Sequence, residues 1–381
     1  MSKEPAVTDL LDDSDPFYTT GDGAAYLGDS RELLDELPEE SINLIVTSPP
    51  FALQKKKEYG NKDQDEYNEW FLEFAEAAYD VLTEDGSFVV DIGGGWEKGK
   101  PVRSLYHFEL LTQLAGEDGP FHLAQDFYWY NPAKLPTPAQ WVTIERIRVK
   151  DAVNHVWVLS KSERPKADNR RVLKEYSESQ KTLMEEGYKD KKRPSGHDIS
   201  DTFDDPEDAD GAIRPNLWNS ADSPDYAPDF IELLQNANIP PKLLEAAEKH
   251  DVLDELAETV LSQHVSDNVL ELANTASNTH YLEACRTADV EPHPARFPRD
   301  LPEFFIKFLS EPGDTVLDIF AGSNITGRVA QDLEREWLAF ELQKKYLQTS
   351  QFRFMDIKEI ERMQDEDQSG MEDFADIEPT D

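Results

Sequence analysis

Cysteine is almost missing from this chain: one residue, Cys285, stands among 381. That excludes an internal disulfide framework and a cysteine-built zinc cluster. Long apolar runs are missing too, and no stretch approaches the roughly 20 residues that a membrane-spanning helix needs. The opening MSKEPAVTDLLDDSD has neither the basic region nor the apolar run of a secretion signal, so a soluble, cytoplasmic protein is expected. Basic residues are scarce, with 38 Lys and Arg against 79 Asp and Glu and a formal charge of −41. Hydrophobic residues, at 38%, fall below the soluble average of about 45–50%. Seven Trp, 13 Tyr and 19 Phe nevertheless supply a sizeable core, which argues against wholesale disorder.

So acidic a balance ordinarily opposes nucleic-acid binding, because phosphates repel an acidic surface. An acidic surface that stays hydrated in concentrated salt, or a basic partner, would each account for it. The acid is spread along the whole chain, which favours a halophilic host and an activity optimum at high salt. One island runs the other way. Residues 134 to 193 hold 15 Lys or Arg against nine Asp or Glu, a candidate polyanion-facing surface or a solvated face of paired charges.

Along the chain, residues 1–16 read as a disordered acidic lead. Asn43 to Thr47 (NLIVT) reads as a buried strand ending in Ser48-Pro49-Pro50-Phe51, where two prolines forbid both ladder and helix interior. Tyr67 to Leu82 has helical spacing. Ser87 to Ile92 is a second short strand closed by Gly93-Gly94-Gly95, and 125–130 and 152–159 are further strands. Residues 160–224 are polar and loop-rich, 228–273 have helical spacing, and Cys285 suits a buried helix position. After His293-Pro-Ala-Arg-Phe-Pro298 a helix is expected over 302–309. Then come a strand at 315–320, the turn Ala321 to Gly327 with a helix to Leu333, a strand at 337–341 and a helix near Tyr346. The tail, 356–381, carries 11 acids and two basic residues and is expected to be disordered.

Two constellations carry chemistry. Strand, glycine-containing turn, helix and strand ending in an acid make the mononucleotide-binding half of a doubly wound fold. Glu341, 23 residues after Asp318, stands where a strand-end carboxylate can grip ribose hydroxyls. The turn lacks the dinucleotide fingerprint and the Gly-Lys-Ser/Thr of a phosphate loop, which disfavours a nicotinamide enzyme. The second constellation is Thr47-Ser48-Pro49-Pro50-Phe51, a stiff loop rich in acceptors beside an aromatic ring. Ser48 Oγ and the Pro49 carbonyl suit the two N–H donors of an exocyclic amine, and Phe51 suits a base. Asp91, ending the FVVD strand, is a candidate electrostatic or proton-accepting partner, or else a carboxylate that caps the Gly93 turn.

Together these motifs resemble the β-class DNA amino-methyltransferases, in which the catalytic Pro-Pro motif precedes the cofactor motif. Matching stretches are TSPPFALQKKKEYGN, GSFVVD, DFYWYNP, RVKDAVN, RPSGHDI, HPARFP, LPEFFI and DIFAGSN, spanning about Tyr18 to Phe354. The chain departs from the family at a helical insertion near 225–273 and in the acidic tail. The resemblance implies an α/β, class I S-adenosylmethionine-dependent methyltransferase, Rossmann-like with a mostly parallel mixed sheet and permuted order. Its catalytic half would be 17–160, its target-recognition region 161–290 and its cofactor half 291–355. Ser48, Pro49, Pro50 and Phe51 would form the catalytic loop, serine at its head being typical of cytosine-N4 enzymes. Asp318, Phe320, Ala321, Gly322, Ser323, Asn324 and Thr326 would line S-adenosylmethionine, Glu341 would hold its ribose, and Phe297, Pro298, Asp29 and Ser30 would lie beside it.

The implied substrate is double-stranded DNA, approached by Lys55, Lys56, Lys57, Arg146, Arg148, Lys150, Lys191, Lys192 and Arg193, with the base flipped out and CTAG preferred over CAGCTG as the site. No metal is implied. A companion restriction endonuclease is the candidate protein partner, and the chain is expected to be a monomer or weak dimer. Adenine-N6 methylation and a non-catalytic DNA-binding protein with the same fold are the alternatives. Cytosine-C5 chemistry would need a cysteine nucleophile, and Cys285, in Glu-Ala-Cys-Arg, has no such setting.

Overall fold

The computed structural model describes residues 7–11, 13–52, 63–130, 134, 136–176, 181–182, 211–219, 279–296 and 298–367. Among the described residues, nine strands form one sheet: β1 (Tyr18–Thr19), β2 (Gly23–Leu27), β3 (Ile42–Thr47), β4 (Leu82–Ile92), β5 (His122–Tyr130), β6 (Val153–Ser160), β7 (Leu217–Asn219), β8 (Thr315–Asp318) and β9 (Glu336–Glu341). The helices are α1 (Ser30–Asp35), α2 (Gln64–Val81), α3 (Tyr106–Ala115), α4 (Thr279–Thr287), α5 (Asp300–Leu309), α6 (Ile325–Asp332), α7 (Lys344–Ser350) and α8 (Ile357–Asp367). Strand order is β1-β2-β9-β8-β3-β4-β6-β5-β7. Pairings are parallel except β1 with β2 and β6 with each of its neighbours.

The central strands are nearly continuous apolar runs because helices cover both of their faces. On one face Tyr67, Phe71, Phe74 and Ala78 of α2 pack with Ile45, Phe88 and Val90. On the other, Leu301, Phe305, Ile306 and Leu309 of α5 pack with Leu44, Val46, Val89 and Val316. The spacing of those residues on each helix is the i, i+3, i+4 stripe of an amphipathic helix. Burying each of the Leu, Ile, Val and Phe side chains among them contributes about 1.5–3 kcal/mol.

Strand order reverses between β8 and β3. From β8 the sheet runs outward through β9 and β2, and from β3 through β4, β6 and β5. Such a reversal opens a crevice at the carboxyl ends of the strands. Here the crevice is flanked by the two sequence motifs, Ser48–Phe51 after β3 and the glycine turn after β8.

Two expectations are corrected. The lead is not disordered throughout: Val7 and Leu11 are buried in the α2-side core, and Tyr26 donates to the Thr8 carbonyl at 3.2 Å. The tail begins as α8, and Ile360 is buried. In both segments a few apolar side chains among the acids outweigh the charge around them. The short elements β1, β2, α1 and α3 lie where no periodicity was read. The expected helices at 228–273 fall outside the described residues. Of the 161–290 region, a 3₁₀ turn at Asn169–Val172, β7 and α4 are described. Cys285 is buried on α4, as expected.

Candidate active site

The glycine turn after β8 is held by side chains that exhaust their own hydrogen bonds. Asp318, at the end of β8, accepts from Thr47 Oγ1 at 2.7 Å, from Thr326 Oγ1 at 2.7 Å and from the Phe320 amide at 3.0 Å. Burial pushes its carboxyl up to about 6 against those bonds. Asn324 caps α6 from the left-handed region (φ 52°), accepting from the Gly327 amide at 3.0 Å and donating to Tyr18 Oη at 2.9 Å. Arg353 is buried and fixes Ser323, donating from Nε to its carbonyl at 2.6 Å and from Nη2 to its Oγ at 2.8 Å. Gly322 has φ +50°, and a Cβ there would lie 3.1 Å from the His293 ring, so both backbone and space favour glycine.

Glu341, at the end of β9, is nearly buried, and its carboxyl is pushed up to about 7, chiefly by burial. The Gly322 amide donates to Oε2 at 2.8 Å and the Gln343 amide to Oε1 at 2.7 Å. The Leu342 amide is a further backbone donor to the carboxylate; the acceptor capacity left over suits ribose hydroxyls, which would also favour its charged form. Half-buried Phe320 packs on Trp70 and Phe74 at 5.7 and 4.9 Å, giving an apolar wall suited to a purine ring. Ser30 Oγ donates to the Ile319 carbonyl at 2.6 Å, and Asp29 caps α1, accepting from the Arg31 amide at 3.0 Å. The Arg31 side chain holds the Asp29 carboxyl below its ordinary range. Buried Pro298 leads into α5.

Across the crevice, Ser48 Oγ donates to Asp91 Oδ2 at 3.0 Å. Asn154 Nδ2, on β6, donates to the other oxygen at 3.1 Å. The Lys134 ammonium in turn donates to Asn154 Oδ1. Asp91 is buried and is pushed up to about 6 by desolvation, against the two hydrogen bonds and the Lys134 charge. Lys134 itself is lowered by burial. The glycine run after β4 makes room for the parts of this loop. A Cβ on Gly93 would meet the Phe51 ring at 2.7 Å, one on Gly94 the Arg103 guanidinium, and one on Gly95 the Gln64 amide. Gln64 Nε2 donates to the carbonyls of Ala52 and Trp96, each at 3.2 Å, tying the Ser48–Phe51 loop to the rim of the crevice.

The structure therefore brings Ser48, Pro49, Pro50, Phe51 and Asp91 together on one side and 318–326, Glu341, Asp29 and Ser30 on the other. The side chains of Asp318 and Asn324 are engaged within the fold. Arg148 lies over Trp96 with its guanidinium carbon 3.7 Å from the ring centroid, and Arg146 and Lys150 are exposed on the same segment. Lys55, Lys56, Lys57, Lys191, Lys192, Arg193 and Phe297 fall outside the described residues. Among those described, no three His, Cys, Asp or Glu side chains converge as metal ligands would, and no helix is long and apolar enough to cross a membrane. Lys134, Asn154 and Arg353 went unread in the sequence. Asn154 lay in the quoted RVKDAVN stretch, but nothing in its spacing tied it to Asp91, because strand pairing brings them together.

A mostly parallel sheet reversed at the crevice, with β1 and β6 antiparallel, a glycine turn and a strand-end carboxylate, defines a class I S-adenosylmethionine-dependent methyltransferase. The chain belongs to the N6/N4 DNA methylase family, whose model, described as a DNA methylase, matches residues 42–352. It is 46% identical over 344 residues to the type II methyltransferase M.PvuII of Proteus hauseri, covering 90% of this chain and 86% of that one. It is 25% identical over 408 residues to M.SfiI of Streptomyces fimbriatus, covering 91% and 94%. The structure of the PvuII DNA methyltransferase, titled cytosine-N4-specific, superposes with a TM-score of 0.61 at 39% identity, covering 92% of this chain and 95% of that one.

Proposed function

We propose that this DNA methyltransferase makes N4-methylcytosine in double-stranded DNA, acting on a cytosine swung out of the duplex. The observation that carries the reading is the Ser48–Asp91 hydrogen bond at the head of the Pro-Pro loop. By giving its proton to Asp91, Ser48 turns both oxygen lone pairs toward the crevice. A cytosine amine placed there donates one N–H to Ser48 Oγ and the other to the Pro49 carbonyl. Its nitrogen lone pair is delocalised into the ring, and holding both N–H groups out of the ring plane frees it for attack. When bound, S-adenosylmethionine would supply the electrophilic methyl group, the electron pair of the broken sulfur–methyl bond staying on sulfur. Phe51, seated against Gly93, stacks on the base and fixes its plane. The proton released as the new N–C bond forms passes to Ser48 and on to Asp91. General-base assistance of this kind is worth about 10²–10⁴-fold, and positioning does most of the rest.

Glu341 would hold the ribose, Phe320 the purine, and the backbone of 321–326, with Asp29, Ser30, Phe297 and Pro298, the remainder. Target reading is assigned to 161–290, with CTAG preferred over CAGCTG, and the type II names of the relatives suggest a restriction–modification setting. Nucleoside mass spectrometry tests the activity, using DNA incubated with the full chain and S-adenosylmethionine in concentrated salt, with Ser48→Ala in parallel. N4-methylcytosine from the wild type alone is expected. N6-methyladenine would overturn the base assignment, and activity confined to low salt would overturn the halophilic reading.

A further inference from the structure

The rim of the crevice beyond Trp96 is unlike the rest of this acidic molecule. Ile144 is 68% exposed, Ile147 58% and Val149 87%, and they alternate with Arg146, Arg148 and Lys150. Three large apolar side chains in six residues, bare to water, cost solubility without contributing to the core. The segment is nevertheless built, not loose. Arg148 is clamped over Trp96 and donates to the Pro101 carbonyl at 2.7 Å, while Trp141 packs edge-on against Trp96. At its far end Asp151 receives Arg103 at 2.8 Å. Arg103 lies against Gly94, and the Trp96 carbonyl shares Gln64 with Ala52, so this rim is continuous with the Ser48–Phe51 loop.

We infer that Ile147 and Val149 form a wedge that enters the DNA stack where the target cytosine leaves it, with Arg146 and Lys150 held on the flanking phosphates. The inference rests on the DNA methyltransferase reading above. Extruding a base costs its pairing and stacking and leaves an apolar gap. Apolar side chains that fill such a gap recover part of the lost stacking. Cations on either side select a polyanion, whereas a bare apolar ridge alone would equally suit a protein surface. Glu145 and Asp151 are the acids on the segment. Asp151 is paired with Arg103, whereas Glu145, exposed and hydrogen-bonded to the neutral Gln140 amide at 2.7 Å, keeps its charge, so Arg146 and Lys150 outnumber the one acid on the segment that carries no cation.

The test uses two 30-mer duplexes carrying the sequence that the wild-type chain methylates in phage lambda DNA. They are identical except that the guanine opposite the target cytosine is intact in one and replaced by an abasic residue in the other. The second duplex has no pair to break. The Ile147→Ala/Val149→Ala variant should lose at least tenfold in kcat/KM on the paired duplex and less than threefold on the abasic one. Arg146→Gln/Lys150→Gln should lose affinity for both duplexes and flatten the salt dependence of binding. Both changes are on exposed side chains, and retained S-adenosylmethionine affinity checks that the variants fold. Equal losses on the two duplexes, or none on either, would overturn the wedge while leaving the methyltransferase reading intact. A change confined to self-association would assign the ridge to a second copy instead. A wild type that methylates no base in lambda DNA would overturn both readings together.

Discussion

Thr47 and Ser48 are sequence neighbours, yet each donates its hydroxyl to a different buried aspartate: Thr47 to Asp318 on β8, Ser48 to Asp91 on β4. Burial pushes both carboxyls to about the same value, near 6. Their surroundings differ. Asp318 is closed by two hydroxyls and a backbone amide, all from the fold itself, so it is a strut between the two motifs. Asp91 is approached from the crevice by half-buried Ser48 and from behind by Asn154, with the Lys134 charge beyond. A perturbed carboxylate is thus a poor guide to function until its donors are followed outward. One set ends in the core, and the other ends at a hydroxyl that can meet a substrate.

The sharpest way to break this comparison is to remove each hydroxyl or its acceptor and read both activity and stability. Ser48→Ala and Asp91→Asn should each lower single-turnover methyl transfer by about 10²–10³-fold, with S-adenosylmethionine affinity by calorimetry unchanged. Asp318→Ala should instead destabilise the fold by about 3 kcal/mol in urea unfolding, because it leaves Thr47, Thr326 and the Phe320 amide without their acceptor. Ser48→Ala should cost under about 1 kcal/mol in the same assay. If Asp318→Ala proved as benign as Ser48→Ala, the strut assignment would fail.

A smaller effect separates the two loops themselves. The turn after β8 depends on one left-handed glycine with a ring behind it, whereas the Ser-Pro-Pro loop owes its shape to proline. Gly322→Ala should therefore cost about 1–2 kcal/mol, seen as a roughly tenfold weaker cofactor Kd. The cost follows from its positive φ and the 3.1 Å approach of His293.

Much of this division was readable beforehand. β3, β4, β8 and β9, the turn after β8 and the Pro-Pro loop declared themselves because apolar runs bounded by Gly and Pro are local signals. A Ser48–Asp91 partnership was one of two readings open from the strand end, the other being a cap on the Gly93 turn. What stayed hidden was contact between distant segments. Asn154 reaches Asp91 through the antiparallel β4–β6 register, in which Asp91 faces Val156, and Arg353 reaches Ser323 from a turn 30 residues on. Gly93, Gly94 and Gly95 were read only as punctuation, although each is small because a different side chain presses on its backbone. The helix at 357–367 was masked by its own acidity, since composition does not reveal that Ile360 has a pocket to fill.

The subtlest test sharpens the Asp91 side through Lys134, by way of pH. Asp91 titrates near 6 in the fold, above the ordinary unfolded value of about 3.9. Its contribution to folding is therefore full below about pH 4 and is lost as pH rises through 6, because the fold prefers it protonated. The proposed mechanism needs the opposite form, since only the carboxylate can take the Ser48 proton, so single-turnover kcat should rise through an acid limb near pH 6. The Lys134 charge holds that limb down. Lys134→Met should raise it by about 0.5–1 unit, and Lys134→Arg, which keeps the charge, should leave it in place even if transfer slows. A limb unmoved by Lys134→Met would make the lysine an anchor for the Asn154 amide alone. The proton affinity of Asp91 would then be set by Ser48, Asn154 and burial, and Asp91 would differ from Asp318 only in the reach of its hydroxyl.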